Sequence, residues 1–410
     1  MQLIIDTSNG MAVRNVAAAM PRRLLDEQGK EAENATHDAA AFWGLADFVF
    51  EPSVRQRPSG VRELGDGILL LGDLGVVLQV KSRESLSEDP DRERRWIKKQ
   101  CKKALAQGAG TIRELRRQPA AMTNLRGRRI ELDANEARWI VAVIVDHDDP
   151  PADVSLAPTE NAVILLRRDW DFLFEQLKST HGVGRYLERV SGDAVNLGDE
   201  SIRYYELAAA DGEAEPRPLG QGFFVPGVRR LHEPLLPMAP LATEAQVEHR
   251  LFRTILEDIA SIRLVAMPEE IRIRSLANLD SLPTQQRAHA GRFLWEAFES
   301  AREVKLPNVL WQHRRIFGEG ATQLGLGVCS HLSEEIEFAF GTWVELRHHE
   351  FTERIDSDES VTVGVLLTPR RDGKRPWDTS MAVAQGRIEL TDEQLAAYIK
   401  VWKREQDIAA

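Results

Sequence analysis

Two short apolar runs, Ile68 to Leu71 and Val76 to Val80, are separated only by Gly72, Asp73, Leu74 and Gly75. Branched residues on either side of a glycine-bounded reversal form a β-hairpin, and that hairpin decides where the neighbouring polar residues go. Side chains alternate along a strand, so Gln79 and Lys81 project to the same side. The reversal carries Asp66, at the mouth of the first strand, back toward the end of the second. An acid, an amide and a lysine are therefore expected to converge. Gln79 lies between Leu78 and Val80 in a strand that is apolar on both faces, as buried strands are. An unpartnered buried amide costs about 1–3 kcal/mol, so a partner or ligand is expected there. The alternative is an amphipathic hairpin in which Asp66 caps a turn and Lys81 is a solvated strand end.

Asp66, Gln79 and Lys81 supply what phosphodiester cleavage requires. A carboxylate holds a hard divalent cation through oxygen. The metal polarises phosphate and activates water, while a lysine positions that water and offsets charge in the transition state. The amide oxygen of Gln79 and the carbonyl of Val80 would complete the shell without adding charge. Asp66-Gly67, the hairpin, Gln79-Val80-Lys81 and a long helix after the lysine together resemble the PD-(D/E)XK nuclease superfamily. The match is to its Mrr-like restriction endonucleases, where glutamine replaces the middle acid, and it covers roughly residues 35 to 180.

The resemblance implies an α/β fold, with a restriction-endonuclease-like mixed β-sheet core flanked by helices. It also implies a metal-dependent endonuclease using Mg²⁺ or Mn²⁺, DNA as the favoured nucleic acid, and a role in defence against foreign DNA. One more acid is expected from a helix ahead of the hairpin, near Asp38 to Asp47. Glu63, Asp47 and Glu51 compete for that place, Glu63 first because it is nearest to Asp66 in sequence. The expected metal ligands are then Asp66, Gln79 and Glu63, with Lys81 as the catalytic lysine. A second class of function stands beside this one: a catalytically silent nuclease fold that binds nucleic acid or scaffolds a separate effector.

The segment after the hairpin concerns the partner. Arg92 to Arg129 carries 13 cations against Glu93 and Glu114, a local charge of +11, so the rest of the chain must hold −22 to reach the overall −11. Ile97, Cys101, Ala104, Leu105, Ile112 and Leu115 recur at three- and four-residue steps, the mark of a helix with one face in the core. Gly108 and Gly110 are candidates to break or bend it. Arg95, Lys98, Lys99, Lys102 and Lys103 then fall on the other face. A charge run is often only a solvated helix face; on an acidic chain beside a metal motif it is better explained as a surface that tracks a nucleic-acid backbone.

Composition bounds the rest. A length of 410 residues with 43% hydrophobic content suits two or three packed domains. The start, Met1 to Asp6, lacks the basic stretch and apolar run of a signal peptide, and no segment approaches the length of a membrane span. A cytoplasmic protein without a membrane partner is expected. Cys101 and Cys329 are the only cysteines, too few for a disulfide framework.

Along the chain, a nuclease-like domain is expected over 1–207, a proline-rich linker over 208–241 and an α+β recognition or assembly domain over 242–410. Trp139 to Val145 and Ala162 to Leu166 are expected as buried strands, with Asp169 capping a following helix. Asp146 to Asp149, followed by Pro150 and Pro151, is expected as a solvated loop. In the last domain, Thr243 to Gln246 and Thr391 to Gln394 have capping-box patterns, and a helix is expected over about Pro283 to Arg302. Strands are expected at Leu324–Val328, Ile336–Leu346 and Val361–Leu367. Gly325 and Gly327 lack the following helix of a phosphate loop, and Cys329, His331, His348 and His349 fit no compact zinc spacing. Arg370, Arg371, Lys374, Arg375 and Trp377 suit either a polar hairpin tip or a base-stacking contact. This domain could recognise DNA, pair with a second copy or dock a partner protein.

Overall fold

The computed structural model describes residues 2–7, 10–19, 28–51, 55–57, 60–62, 65–135, 137–156, 158–213, 236–238, 241–262, 268–318, 321–372 and 374–402. In chain order, the first half contains β1 (Gln2–Thr7), β2 (Gly10–Asn15), α1 (Gln28–Trp43), a 3₁₀ turn (Ala46–Phe48), β3 (Val49–Glu51), β4 (Arg55–Arg57), β5 (Gly60–Arg62), β6 (Gly67–Leu70), β7 (Leu74–Ser82) and α2 (Pro90–Arg117). It continues with β8 (Ala120–Asn124), β9 (Arg129–Leu132), β10 (Arg138–Asp146), β11 (Ser155–Leu156), β12 (Ala162–Leu166), α3 (Arg167–Leu177), α4 (Thr180–Arg189), β13 (Val195–Asn196) and α5 (Glu200–Glu213). The remainder is α6 (Thr243–Ser261), α7 (Glu269–Asp280), α8 (Thr284–Arg302), β14 (Trp311–Phe317), β15 (Thr322–Cys329), α9 (Glu334–Ile355), β16 (Val361–Pro369), β17 (Trp377–Gln385) and α10 (Asp392–Trp402).

The chain is mixed α/β and divides into two compact units, the first drawn from 1–216, 235–240 and 266–280, the second from 241–265 and 281–410. Two features differ from the sequence expectation. Residues 208–213, expected in the linker, continue α5, and α7, expected in the last domain, packs in the first unit. The cause is charge: Arg272 of α7 is buried and pairs with Asp47 at 2.8 Å and with Glu269. Sequence distance gave no hint of that pairing.

The first unit is built on a seven-stranded sheet in the order β12-β10-β7-β6-β3-β8-β9. β12, β10 and β7 run parallel, and the others join antiparallel. Trp139 to Val145 and Ala162 to Leu166 are buried strands as expected. One sheet face is covered by α2, whose Ile97, Cys101 and Ala104 pack on Val141, Val143 and Val145. The helix does not break at Gly108. A Cβ there would overlap Val141, so glycine lets α2 lie close on the sheet. The other face takes α1 and α3, joined where Trp170 donates to the Thr36 carbonyl at 3.0 Å. Asp169 is not a cap: α3 begins at Arg167 without a side-chain cap, and Asp169 is buried in its first turn.

In the second unit β14-β15-β16-β17 form one sheet. The expected strand over Ile336–Leu346 is instead the first half of α9, capped by Ser333, whose hydroxyl accepts from Ile336 N at 3.3 Å. Phe340, Trp343 and Val344 of α9 lie over Gly325 and Gly364, which are paired in register; a Cβ on Gly325 would meet Trp343 at 2.6 Å. That packing accounts for Gly325. The Thr391 capping box forms, with reciprocal bonds to Gln394 of 3.0 and 3.2 Å. Thr243 differs: it is the first helical residue of α6, and Ala242 at the cap offers no side chain.

Candidate active site

β6 and β7 pair antiparallel from Leu70↔Gly75 to Gly67↔Leu78, and Gly72 turns the chain at φ +76°, where a Cβ is disfavoured. At the open end Asp66 N donates to Leu78 O at 3.1 Å. The Asp66 carboxylate accepts from Val80 N at 2.6 Å, continuing the ladder ahead of the first residue of β6. Lys81 Nζ lies 3.3 Å from the same Oδ2 and donates to the Val80 carbonyl at 2.9 Å. The two side chains are only 16% and 18% exposed, so solvent screens their attraction little. Gln79 is 2% exposed, and its Nε2 sits 3.1 Å from where a Cβ on Gly65 would be. Asp66 and Lys81 are thus brought together, with the buried Gln79 amide beside Gly65. Glu63 lies outside the described residues.

Sheet register places this group under α2. Val77 is level with Val141, which faces α2 across Gly108, and Gln79 and Lys81 follow on the same side by alternation. Electrostatics agree: burial pushes the Cys101 thiol of α2 up to about 12, and the Lys81 ammonium pulls it the other way.

Sequence reasoning missed the residue on the opposite face. His37 of α1 is buried, and its Nε2 has no hydrogen-bond partner. A Cβ on Gly67 would overlap that nitrogen and stand 3.1 Å from Cδ2 and Cε1. Asp66 is therefore followed by glycine because the imidazole occupies the space. Burial lowers the pKa of His37, as does Lys30, while the backbone of Asp66 and the charges of Glu51 and Asp66 raise it. A lone histidine in an alanine-rich helix carries no periodic signal; only the packing reveals it.

Of the competing acids, Asp47 is committed elsewhere. It is fully buried between Arg126 at 2.6 Å and Arg272 at 2.8 Å. Glu51 is exposed, and the β3–β6 register, Phe50↔Ile68, carries it to the level of Gly67, so it projects to the His37 face rather than toward Lys81. Among the described residues no group of three or more His, Cys, Asp or Glu side chains is placed to hold a metal ion. The donors that do fit a hard cation are the Asp66 carboxylate and the neutral oxygens of Gln79 and Val80. One carboxylate with waters and substrate phosphate is a mode Mg²⁺ uses.

Beyond Lys81 the carboxyl ends of the parallel strands carry a buried ion network, not the solvated loop expected at Asp146 and His147. Ser82 donates to Asp146 at 3.1 Å and Arg167 donates to it at 2.8 Å. Glu93, in the first turn of α2, accepts from Arg83 at 2.8 and 2.7 Å and from Ser87 N at 2.9 Å, with His147 Nε2 at 3.0 Å. Arg83 hydrogen bonding holds the Glu93 carboxyl down at about 2 against the opposing effect of burial. Asp148 and Asp149 are exposed, as a loop predicts. This network ties the segment after Lys81 to the start of α2.

The basic residues are where the periodicity places them. Arg95, Lys98, Lys99, Lys102 and Lys103 are all exposed on α2. The helix ends at Arg117, so Arg126 and Arg128, which pair with Asp47 and Glu269, do not belong to that face. In the second unit the Arg370–Trp377 segment is a hairpin tip rather than a stacking platform. Arg370 pairs with Asp372 and Asp378, Arg375 pairs with Asp378, and the Trp377 indole donates to Asp258 at 2.8 Å against Phe298. Cys329 and His348 are buried, and His348 bonds Thr362 at 2.9 Å and the Gly386 carbonyl at 2.6 Å.

No family model, no curated protein and no solved structure matches the chain. No helix among the described residues is long and apolar enough to cross a membrane.

Proposed function

We propose that the chain is a metal-dependent nuclease of the PD-(D/E)XK type, acting on DNA, with a restriction-endonuclease-like first unit. The observation that supports this most directly is the approach of Lys81 Nζ to Asp66 Oδ2, 3.3 Å in a mostly buried setting at the open end of a hairpin. Bound Mg²⁺ or Mn²⁺ would supply polarisation of the phosphate and a lowered pKa for water. Asp66, Gln79 and the Val80 carbonyl would hold it, with Glu63 as the further acid. Lys81 places a fixed positive charge where the phosphorane develops negative charge, and α2 keeps bulk water from screening it. The second unit would recognise DNA or assemble with a partner or a second copy, and defence against foreign DNA is the role such an enzyme would serve.

One observation favours a second reading, a catalytically silent fold that binds nucleic acid or scaffolds an effector: the described residues bring no three-ligand group to the site. A single assay separates the two. Purified protein is incubated with plasmid, single-stranded DNA and RNA in Mg²⁺ or Mn²⁺, beside Lys81→Ala and Asp66→Ala. Cutting that both substitutions abolish supports the nuclease. Cutting that survives both refutes the assignment, and no cutting by the unsubstituted protein favours the silent fold.

A further inference from the structure

The buried stripe of α2 runs through Glu93, Ile97, Cys101, Ala104, Gly108, Thr111 and Leu115. At 100° per residue, Arg92, Arg95, Lys98, Lys99, Lys102 and Lys103 fall on an arc centred opposite that stripe, and all six are exposed. They point away from the sheet, and so away from Asp66 and Lys81 beneath the helix. Apart from Arg95, whose exposed pair with Asp89 spans 3.6 Å, none of the six has an ion pair among the described residues. Exposed pairs at that distance contribute little. The cations are therefore available.

Arg92 to Lys103 covers about 16 Å of helix, along which a duplex presents about five phosphates per strand. Single-strand binding depends on aromatic rings that stack bases, but no aromatic residue lies on this arc; Trp96 is half-buried between Arg83 and His147. Membrane-surface helices insert an apolar face, and that of α2 is already spent on β10. We propose that the outward face of α2 is a docking surface for the phosphate backbone of double-stranded DNA, separate from the Asp66–Lys81 site and independent of whether that site cuts.

The test is fluorescence anisotropy in EDTA with a labelled duplex of about 30 base pairs, the corresponding single strand, and vesicles containing anionic lipid. The unsubstituted protein is compared with Lys98→Gln/Lys99→Gln/Lys102→Gln/Lys103→Gln, whose fold is checked by circular dichroism. The expected result is duplex binding preferred over the other two probes. Its dependence of log affinity on log salt should become shallower by about 4 in the quadruple variant, with at least about tenfold weaker binding at moderate salt. Absence of duplex binding, an unchanged salt slope in the variant, or preference for single strands or vesicles would each overturn the proposal. Cleavage plays no part in the readout, so failure here leaves the nuclease question to its own assay.

Discussion

Asp169 offers the sharpest quantitative check on the first unit. It is 0% exposed, and the nearest cation paired with it, Arg168, stands 3.8 Å away. Burial pushes its pKa from 3.8 to about 7, against the pull of Arg168 and of a backbone hydrogen bond with Leu166, and with a further push from Glu200 and Asp199. Glu200 pairs with Arg203 at 2.6 Å and takes a 2.5 Å bond from the Tyr186 hydroxyl. Because the folded-state pKa is raised, the native protein binds the proton more tightly than the unfolded chain does. The penalty is absent below pH 3.8, grows between about pH 4 and 7, and is complete above pH 7. A shift of about three units corresponds to about 4 kcal/mol, an upper bound because local opening admits water. Asp169→Asn keeps the shape and removes the ionisation. Urea unfolding of both proteins at half-unit steps from pH 4 to 8 should give a stability difference that grows with pH by about 2–4 kcal/mol and then levels. Any constant effect of the new amide shifts the curve without changing its slope. A difference flat across the range would refute the argument that this carboxyl is neutral in the fold.

Two further predictions concern the supports of the candidate site. Gly67→Ala drives a methyl into the His37 ring and should cost about 1–3 kcal/mol by overpacking; combining it with His37→Ala should recover part of that loss, a coupling read from denaturation midpoints that strict additivity would disprove. Glu93→Gln leaves the Arg83 guanidinium without its carboxylate and should destabilise by about 2–3 kcal/mol at neutral pH. Since the Glu93 pKa is lowered, to about 2, that contribution is present above the ordinary carboxylate range and fades as pH falls through 2. Melting curves at pH 7 and pH 2.5 check it, and equal losses at both would contradict it.

The sequence disclosed what local pattern encodes. The hairpin, the convergence of Asp66 with Lys81 and the cationic face of α2 follow from two-residue and three-to-four-residue periods, which survive folding because each strand and helix has one buried side. The tertiary chemistry did not show. Asp47, ranked as a possible ligand, is neutralised by Arg126 and by Arg272, 225 residues away, and no local rule links them. Ile336 to Leu346 has the β-branched and aromatic content of a strand, yet two paired glycines, Gly325 and Gly364, leave space for Phe340 and Trp343 only if the segment packs as a helix. Asp146 and His147 look like loop residues beside two prolines, but Arg167 and Glu93 bury them.

α2 separates two chemistries. Its inner side covers Lys81, and its outer side carries the cations, so a phosphate held on the outer arc is not the phosphate that could meet Asp66. Under the nuclease reading, the strand to be cut must reach the hairpin's open end, where Gly65 and Asp66 enter the sheet, while another stretch is held on the helix. The relation between the two depends on how firmly α2 is seated. Glu93 fixes its first turn through Arg83, Ser87 and His147, and Gly108 fixes its middle by close approach to Val141. Arg83, two residues after Lys81, also stacks at 5.1 Å on Trp96, which lies one turn before Lys99 on the helix. The Arg83 side chain therefore ties the strand end that carries Lys81 to the first turns of α2, from which the basic arc projects.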